Sequence, residues 1–186
     1  MSPEAQNLSA RLARQIEASG PISVAEFMRA SNEVYYGSGD PLGVQGDFIT
    51  APEISQVFGE LIGLWLTDLW IRSGSRTDCK YVELGPGRGT LAADALRSMK
   101  QFNFEPESWF VETSAPLREI QSSKVERLSF CSTIDEIPDD GPLLVVANEF
   151  FDALPVRQLV STHAGWRERV VVRDRGNKFL ATPGLQ

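Results

Sequence analysis

Residues 81–90 read Tyr-Val-Glu-Leu-Gly-Pro-Gly-Arg-Gly-Thr, and this stretch decides the fold. An apolar strand runs into three glycines at alternate positions, and a helix-forming sequence follows at once. Glycine permits a sharp turn and lets a ligand approach the main chain closely, while the start of the helix adds unpaired N–H groups. This order is typical of a nucleotide-type cofactor loop at the carboxyl end of a parallel strand. A purely structural turn is the alternative.

The glycine spacing distinguishes between cofactors. In the dinucleotide fingerprint G-x-G-x-x-G the third glycine comes one residue later than Gly89, at the position of Thr90. The carboxylate of Glu83, two positions before Gly85, would repel a phosphate and attract a cationic amino-acid group. S-adenosylmethionine has a sulfonium, an ammonium group and no phosphate, so this spacing favours it over NAD. The P-loop sequence Gly-Lys-Ser/Thr is not found here.

Composition excludes several classes of protein. The 186 residues, 42% hydrophobic and 23% charged, suffice for one globular core. A net charge of −7 argues against nucleic-acid binding, which needs clustered lysine and arginine. The longest apolar stretch, residues 61–71, is shorter than the ~20 residues of a membrane span, so no membrane partner is expected. The N-terminus mixes acidic and basic residues, unlike a secretory signal or a transit peptide, which favours the cytoplasm.

The histidine and cysteine residues exclude further kinds of site. His163 is the only histidine, so neither a multi-histidine zinc site nor a Ser-His-Asp triad is expected. Cys79 and Cys131 are too few and too far apart for a disulfide framework or a cysteine-rich metal site. Each lies near a predicted strand, as a buried thiol would. We therefore predict no metal site.

The N-terminal residues predict helices. Apolar residues recur every four positions between Pro3 and Gly20, and Ser23 and Glu26 form a capping box that opens a second helix. Residues 35–49 are glycine-rich and aromatic and are predicted to form an ordered loop.

A long helix is predicted from Pro52 or Ser55 to Ile71. Its expected apolar stripe consists of Ile54, Phe58, Leu61, Trp65 and Leu69, widened by Ile62, Leu66 and Trp70. Gly59 and Gly63 lie on one face of this helix. Because glycine costs roughly 1 kcal/mol in a helix interior, we expect another backbone or a ligand to approach closely there.

From residue 80 onward, strands and helices alternate. Strands are predicted at 80–84, 109–112, 127–131 and 143–147, helices at 90–100 and 115–124, and a hairpin at 166–172 and 178–181. Alternation of this kind implies right-handed crossovers and a parallel sheet, with the wholly apolar strand 143–147 at its centre.

The predicted fold class is therefore α/β, a Rossmann-like doubly wound sheet with an N-terminal helical extension. Residues 1–76 are predicted to form the helical region and a lid-like loop, and residues 77–186 the cofactor-binding domain, ending in the hairpin. Only one strand is available on the far side of the first strand, so we expect an incomplete domain, the N-terminal portion of a longer protein.

Two strand ends carry polar candidates for the site. Glu112 ends the second strand, where an acidic residue accepts hydrogen bonds from ribose hydroxyls; simple solvation is the alternative. Asn148, Glu149 and Asp152 follow the fourth strand, at the end where such sheets bind ligands. If the backbone turns there, both carboxylates can face one pocket and hold a guanidinium through bidentate hydrogen bonds. Helix capping by Asn148 or Asp152 is the alternative.

The segment Gly46-Asp47-Phe48-Ile49-Thr50-Ala51-Pro52-Glu53 mixes glycine, carboxylates and an aromatic residue. This mixture suits a lid over the cofactor or a substrate channel, and equally a loop packed against the helices. Asp47 is the third candidate carboxylate for a guanidinium.

Three strings of this sequence resemble a known family. Residues 46–60, 82–91 and 148–156 are similar to the MidA-like class I S-adenosylmethionine-dependent methyltransferases, relatives of the mitochondrial complex I assembly factor. The resemblance implies a protein arginine methyltransferase with Gly85, Gly87, Gly89 and Glu112 as cofactor contacts. For the mitochondrial member the implied substrate is an arginine on a complex I subunit. A bacterial member would be cytoplasmic and a eukaryotic one would work in the mitochondrial matrix.

These observations lead to one leading hypothesis, methyl transfer from S-adenosylmethionine to a protein arginine. Glu83 and Asn148 are further expected cofactor contacts. Glu149 would localise charge on the guanidinium so that one nitrogen is free to attack, and Asp152 or Asp47 would hold it in place. The alternatives are a non-catalytic assembly factor that keeps the fold, a NAD-dependent oxidoreductase and a small-molecule methyltransferase.

Overall fold

The structure is a computed structural model that describes residues 3–37 and 50–185. Its helices and strands, in chain order, are α1 Pro3–Ser19, β1 Ile22–Ser23, α2 Val24–Gly37, α3 Ala51–Ile54, α4 Gln56–Arg72, β2 Lys80–Leu84, α5 Thr90–Lys100, β3 Glu107–Val111, α6 Ala115–Lys124, β4 Leu128–Cys131, β5 Leu143–Val146, β6 Leu159–Thr162, β7 Gly165–Arg173 and β8 Phe179–Pro183. Short 3₁₀ helices lie at Ile134–Glu136 and Phe151–Ala153. None of the helices described is long and apolar enough to cross a bilayer.

The chain folds into two compact units. One unit is Gly39–Phe151, and the other joins Met1–Ser38 to Asp152–Gln186. The first contains the parallel sheet and helices α3 to α6, and the second contains the N-terminal helices with the last three strands.

The unit Gly39–Phe151 is built on a parallel sheet with strand order β4-β3-β2-β5. Val82 in β2 pairs with Trp109 in β3 on one side and with Val145 in β5 on the other. The chain moves outward from β2 to β3 and β4 and then returns to the far side of β2, so its direction reverses between β2 and β5. Sheets of this kind bind ligands at the carboxyl ends of the strands, at such a reversal. The predicted parallel α/β sheet, with one strand beyond the first, is confirmed.

Among the strands of residues 3–37 and 50–185, β5 lies at the edge of its sheet, so its predicted central position is wrong for this part of the chain. Leu144 and Val146 pack against the core, whereas Leu143 and Val145 are exposed. A strand that is apolar throughout is expected where both faces are buried. In the part of the chain described here, no strand pairs with the open edge of β5.

Helices α4 and α5 pack with unusually close backbones. A Cβ added at Gly59 would lie 2.6 Å from the Cβ of Asp94, and one added at Gly63 would lie 2.8 Å from the Cα of Ala95 and closer still to its carbonyl oxygen. Distances this short leave no room for a side chain. The expectation that another backbone approaches this glycine face is confirmed.

The predicted apolar stripe of α4 is only partly right. Phe58 and Leu69 pack against the core, but Leu61 and Trp65 are more than half exposed. Ile54, also predicted in the stripe, ends the separate helix α3 and is exposed as well. Helix α4 is apolar around most of its circumference, so hydrophobic periodicity alone does not identify the buried face. Gly59 and Gly63 identify the buried face of α4, because α5 packs against them.

The second unit joins N-terminal helices to C-terminal strands. β1 pairs antiparallel with β7, which also pairs with β6 and β8. Leu12, Ile22 and Val171 form its buried core. The predicted capping box is confirmed, since the backbone N–H of Ser23 donates to the Glu26 carboxylate at 2.9 Å and the Glu26 N–H donates to the Ser23 hydroxyl at 3.1 Å.

The predicted C-terminal hairpin is also confirmed. At the turn between β7 and β8, the Asp174 carboxylate accepts hydrogen bonds from the backbone N–H groups of Gly176 and Lys178, both at 2.8 Å. Because β7 pairs with β1, this hairpin groups with the N-terminal helices, whereas α4 groups with the parallel sheet through α5. The division between the units therefore differs from the predicted boundary at residues 76 and 77.

Candidate functional site

Strands β2, β3 and β5 end at the same edge of the parallel sheet. The backbone N–H of Gly85, just after β2, donates to the carbonyl of Val111 at 3.1 Å, and that of Glu112, just after β3, donates to the carbonyl of Cys131 at 3.1 Å. These bonds continue the sheet ladder beyond the strands. They hold the glycine turn beside the residue that follows β3, so the structure brings the glycine loop and Glu112 together.

All three glycines of the turn have left-handed backbone angles. The φ values are 60° at Gly85, 54° at Gly87 and 74° at Gly89, a region that residues with a Cβ rarely adopt. Gly89 is the N-cap of α5, and its carbonyl accepts the N–H of Ala93 at 3.0 Å. Each of the three alternating glycines therefore lies at a position where the backbone has a left-handed conformation.

Phe150 lies against this turn and was not predicted as a site residue. A Cβ added at Gly85 would lie 2.5 Å from Cδ2 of its ring, so the segment after β5 reaches the loop after β2. Asn148, two residues earlier, is half-buried in the same segment. Its predicted contact with a cofactor stays a prediction.

The carboxylate of Glu112 is held from two sides. One oxygen accepts the backbone N–H of Ser114 at 2.8 Å, and the other accepts the side-chain amide of Gln121 at 3.4 Å. Arg118 donates through Nε to the Glu112 carbonyl at 2.8 Å, and its guanidinium lies 5.2 Å from the centre of the Phe130 ring. A carboxylate offers about four acceptor positions, so this one can still accept two hydroxyl groups.

Gln121 connects the two predicted cofactor elements and was missed by sequence reasoning. Its side chain is 0% exposed, and Nε2 donates to the carbonyl of Gly87 at 2.6 Å as well as to Glu112. The sequence contains one signal for it. Gln121 lies four residues after Leu117 and four before Val125, so it is a polar residue on the buried face of α6.

Glu83 lies inside the core, beneath the turn. It is 3% exposed and accepts a hydrogen bond from the Tyr81 hydroxyl at 2.6 Å. Burial raises the pKa of Glu83 to about 8, and the hydrogen bond from Tyr81 lowers it only in part. Burial and the charge of Glu83 also raise the pKa of Tyr81. The predicted contact between Glu83 and a cationic ligand stays a prediction.

Thr90, the first residue of α5, links three elements. Its hydroxyl donates to the Glu53 carboxylate in α3 at 2.6 Å and accepts from Lys124 of α6 at 2.8 Å. This chain of bonds holds α3 against the end of the glycine turn. The sequence marked Thr90 only as the residue in the position of a dinucleotide glycine, and neither partner was predicted.

The structure describes two of the three candidate catalytic carboxylates, Glu149 and Asp152. Glu149 is exposed, with a φ of 48°, a strained conformation of a kind that occurs at functional sites. Asp152 is exposed in the 3₁₀ helix and belongs to the other unit, and Asp47 lies outside the described residues. Their common role stays a prediction. Within residues 3–37 and 50–185, no three His, Cys, Asp or Glu side chains are grouped as metal ligands.

Comparisons with known proteins agree with this geometry. Residues 61–184 match the family described as "Putative S-adenosyl-L-methionine-dependent methyltransferase". The chain is 41% identical to the mouse protein arginine methyltransferase NDUFAF7, mitochondrial, over 86% of its own length and 44% of that protein. It is 38% identical to the fruit-fly homologue over 89% of its length and 44% of that protein. The chain therefore spans about half the length of the curated relatives it matches.

A solved structure has the same fold. The crystal structure of a COG1565 superfamily member from Burkholderia thailandensis, bound to S-adenosyl-homocysteine, superposes with a TM-score of 0.79 at 26% identity. The match covers 100% of this chain and 53% of that protein. These matches confirm the resemblance found in the sequence and the Rossmann-like class I fold. The chain belongs to the S-adenosyl-L-methionine-dependent methyltransferase family that matches residues 61–184.

Proposed function

We propose that this chain is the cofactor-binding part of an S-adenosylmethionine-dependent methyltransferase whose acceptor is an arginine of another protein. The observation that carries the proposal is the turn of three left-handed glycines after β2, hydrogen-bonded next to the fixed carboxylate of Glu112. The names of the mouse and fruit-fly relatives, both arginine methyltransferases, support the choice of acceptor.

The chemistry of the site fits this cofactor. The glycines let the ligand approach the main chain, and the start of α5 offers backbone N–H groups. Glu112 retains acceptor positions for two ribose hydroxyls. Glu83, buried beneath the turn, would supply negative charge to an ammonium group once it loses its proton, and would not favour a phosphate.

The residues of the chain bind and orient, and the cofactor when bound supplies a methyl group on an electrophilic sulfonium. Glu112 would hold the ribose, and Phe150 packs against Gly85 on one side of the turn. Glu149 would accept hydrogen bonds from the guanidinium of the acceptor, which would concentrate positive charge on two nitrogens and leave the third to attack. The methyl–sulfur bond would break as the methyl–nitrogen bond forms, and the methylated nitrogen would release one proton to water. Asp152 and Asp47 hold the same guanidinium in place.

The acceptor that we propose is an arginine in a basic segment of a respiratory complex I subunit. The family resemblance implies this substrate, and a net charge of −7 on the chain favours a basic partner. The mouse and fruit-fly relatives are named as mitochondrial proteins. We accordingly propose the mitochondrial matrix for a eukaryotic source and the cytoplasm for a bacterial one.

Replacing Glu112 by alanine should weaken the binding of S-adenosylhomocysteine by 100-fold or more. Two hydrogen bonds to a charged acceptor contribute roughly 1.5–3 kcal/mol each, and both are lost with the carboxylate. Isothermal titration calorimetry of the full chain measures the change. The matched control is Glu119→Ala, because Glu119 is an exposed acid of the neighbouring helix α6. No binding by the folded wild-type chain would refute the proposed cofactor, and saturable NADH binding would favour a dehydrogenase.

The acceptor is tested separately with labelled S-adenosylmethionine. Basic peptides that contain one arginine should be labelled, and the same peptides with lysine in its place should not. Labelling of small molecules alone would overturn the protein acceptor. A full-length relative that binds the cofactor and transfers no methyl group to any protein would be a non-catalytic assembly factor.

A further inference from the structure

We propose that Gln121 is a positioning residue of the cofactor site, which holds the Gly87 carbonyl and the Glu112 carboxylate at the separation that the ribose requires. The inference rests on the proposed function, because it concerns the same site. Gln121 would not touch the cofactor itself. It would act through the loop on one side and the ribose-binding carboxylate on the other.

The hydrogen bonds of Gln121 match the two elements. Its amide nitrogen carries two protons, and it donates to the Gly87 carbonyl at 2.6 Å and to Oε2 of Glu112 at 3.4 Å. Both partners are acceptors that have no proton to give. The orientation of the amide is therefore determined by its partners, since the opposite orientation would place oxygen against oxygen.

Burying the Gln121 amide is unfavourable unless its hydrogen bonds to Gly87 and Glu112 are needed. Gln121 is 0% exposed, and its own Oε1 is buried without a hydrogen-bond partner. An unsatisfied buried polar atom lowers the stability of the fold, whereas an apolar residue here would continue the buried face of Leu117 and Val125. The donor groups of the amide are the reason that glutamine suits this position better than leucine.

Gln121 also supports the turn through packing. A Cβ added at Gly89 would lie 3.4 Å from Cγ of Gln121, so the end of the turn rests on the glutamine stem. Ser114 holds one oxygen of Glu112 and Gln121 the other. Each oxygen of Glu112 therefore keeps one acceptor position, beside a loop that is held by the same glutamine.

The test measures discrimination between S-adenosylhomocysteine and its 2′-deoxy form by calorimetry on the full chain. Gln121→Met keeps the length of the side chain and removes both donors. We expect this variant to bind S-adenosylhomocysteine about tenfold more weakly than the wild type. The ratio of its affinities for S-adenosylhomocysteine and the 2′-deoxy form should fall towards one. An equal loss for both ligands would mean that Gln121 only packs, and would overturn the inference.

A double-mutant cycle with Glu112→Gln gives a second measurement. If Gln121 acts through Glu112, the Glu112→Gln change costs less affinity in the Gln121→Met chain than in the wild type. Additive losses would refute that connection. Should Gln121→Met fail to fold, Gln121→Glu fills the same space. Its carboxylate faces two acceptors, so it should weaken binding as well, and unchanged binding would again overturn the inference.

The matched control is Val125→Ala. Val125 is buried at the end of the same helix and contributes to the hydrophobic core, away from the two hydrogen bonds. This variant should lose stability and keep the ratio of the two affinities. If the wild-type chain binds neither ligand, the proposed function fails. If it discriminates and Gln121→Met discriminates equally well, only the role of Gln121 fails.

Discussion

Replacing Gly63 by alanine should lower the free energy of unfolding by about 3 kcal/mol or more, and replacing it by valine should prevent folding. The added Cβ would lie 2.8 Å from the Cα of Ala95 and closer still to its carbonyl oxygen and to the Ser98 hydroxyl. Two of these three atoms belong to the backbone of α5 and cannot rotate away. Overpacking of a tight core costs typically 1–3 kcal/mol even where side chains can adjust.

The sign of the stability change distinguishes a steric clash at Gly63 from an effect of helix propensity. At an exposed helix position, glycine to alanine stabilises by roughly 1 kcal/mol, because alanine is the better helix former. Gly63 should therefore respond in the direction opposite to helix propensity. Urea unfolding monitored by circular dichroism measures the change.

The control for Gly63 lies in the same helix. Leu61 is 59% exposed, so Leu61→Ala should change stability by only about 0.5 kcal/mol. Equal stability of Gly63→Ala and the wild type would mean that α4 and α5 do not approach each other this closely.

Local sequence patterns predicted the glycine turn after β2 and the close contact at Gly59 and Gly63 correctly. In both cases the residue type has one dominant physical reason. Left-handed angles require glycine in the turn after β2, and a helix interior tolerates Gly59 and Gly63 only where something approaches. Such positions can be interpreted without knowledge of the rest of the fold.

Features that depend on distant partners could not be predicted in the same way. The segment containing β7 reads as a hairpin, but nothing near it in the sequence indicates that β1, with residues 22 and 23, pairs with it. The bond between Thr90 and Glu53 joins residues 37 positions apart. A hydroxyl and a carboxylate are common on surfaces, so their residue types do not identify them as partners.

Apolar residues gave the least reliable predictions of burial. Helix α4 carries apolar side chains on several faces, and β5 is apolar throughout, yet Leu61, Trp65 and Val145 are exposed. A hydrophobic residue indicates only that burial is favourable, and the neighbouring element decides which face is covered. A polar residue on a buried face, such as Gln121, is more informative because burial without a partner is costly.

Replacing Glu83 by glutamine should raise the free energy of unfolding at pH 9 by an amount on the order of 5 kcal/mol. Burial raises the pKa of Glu83 from 4.5 to about 8, so the folded chain favours the protonated acid. Between pH 4.5 and about 8 the folded state holds a proton that the unfolded state has released. The free energy of unfolding therefore falls as the pH rises through this range, and the cost is fully present above pH 8.

Glutamine removes this titration while it can still accept the hydrogen bond from Tyr81. The difference between Glu83→Gln and the wild type should be close to zero at pH 4.5 and grow steadily up to about pH 8. Urea unfolding at several pH values between 4.5 and 9 measures it. Glu107→Gln is the control, because Glu107 is an exposed acid on β3 and its replacement should change stability little at any pH.

The same substitution should act on cofactor affinity with the opposite sign. If Glu83 attracts the ammonium group of the ligand, the carboxylate must lose its proton when S-adenosylhomocysteine binds. Wild-type affinity should then rise with pH up to about pH 8 and level off, while Glu83→Gln binds more weakly above pH 8 and without this pH dependence. If Glu83 lowers the free energy of unfolding but increases affinity for S-adenosylhomocysteine, its role is in ligand binding rather than in stability. If Glu83→Gln gained stability and bound S-adenosylhomocysteine as tightly as the wild type at pH 9, Glu83 would be a core acid without a role in binding.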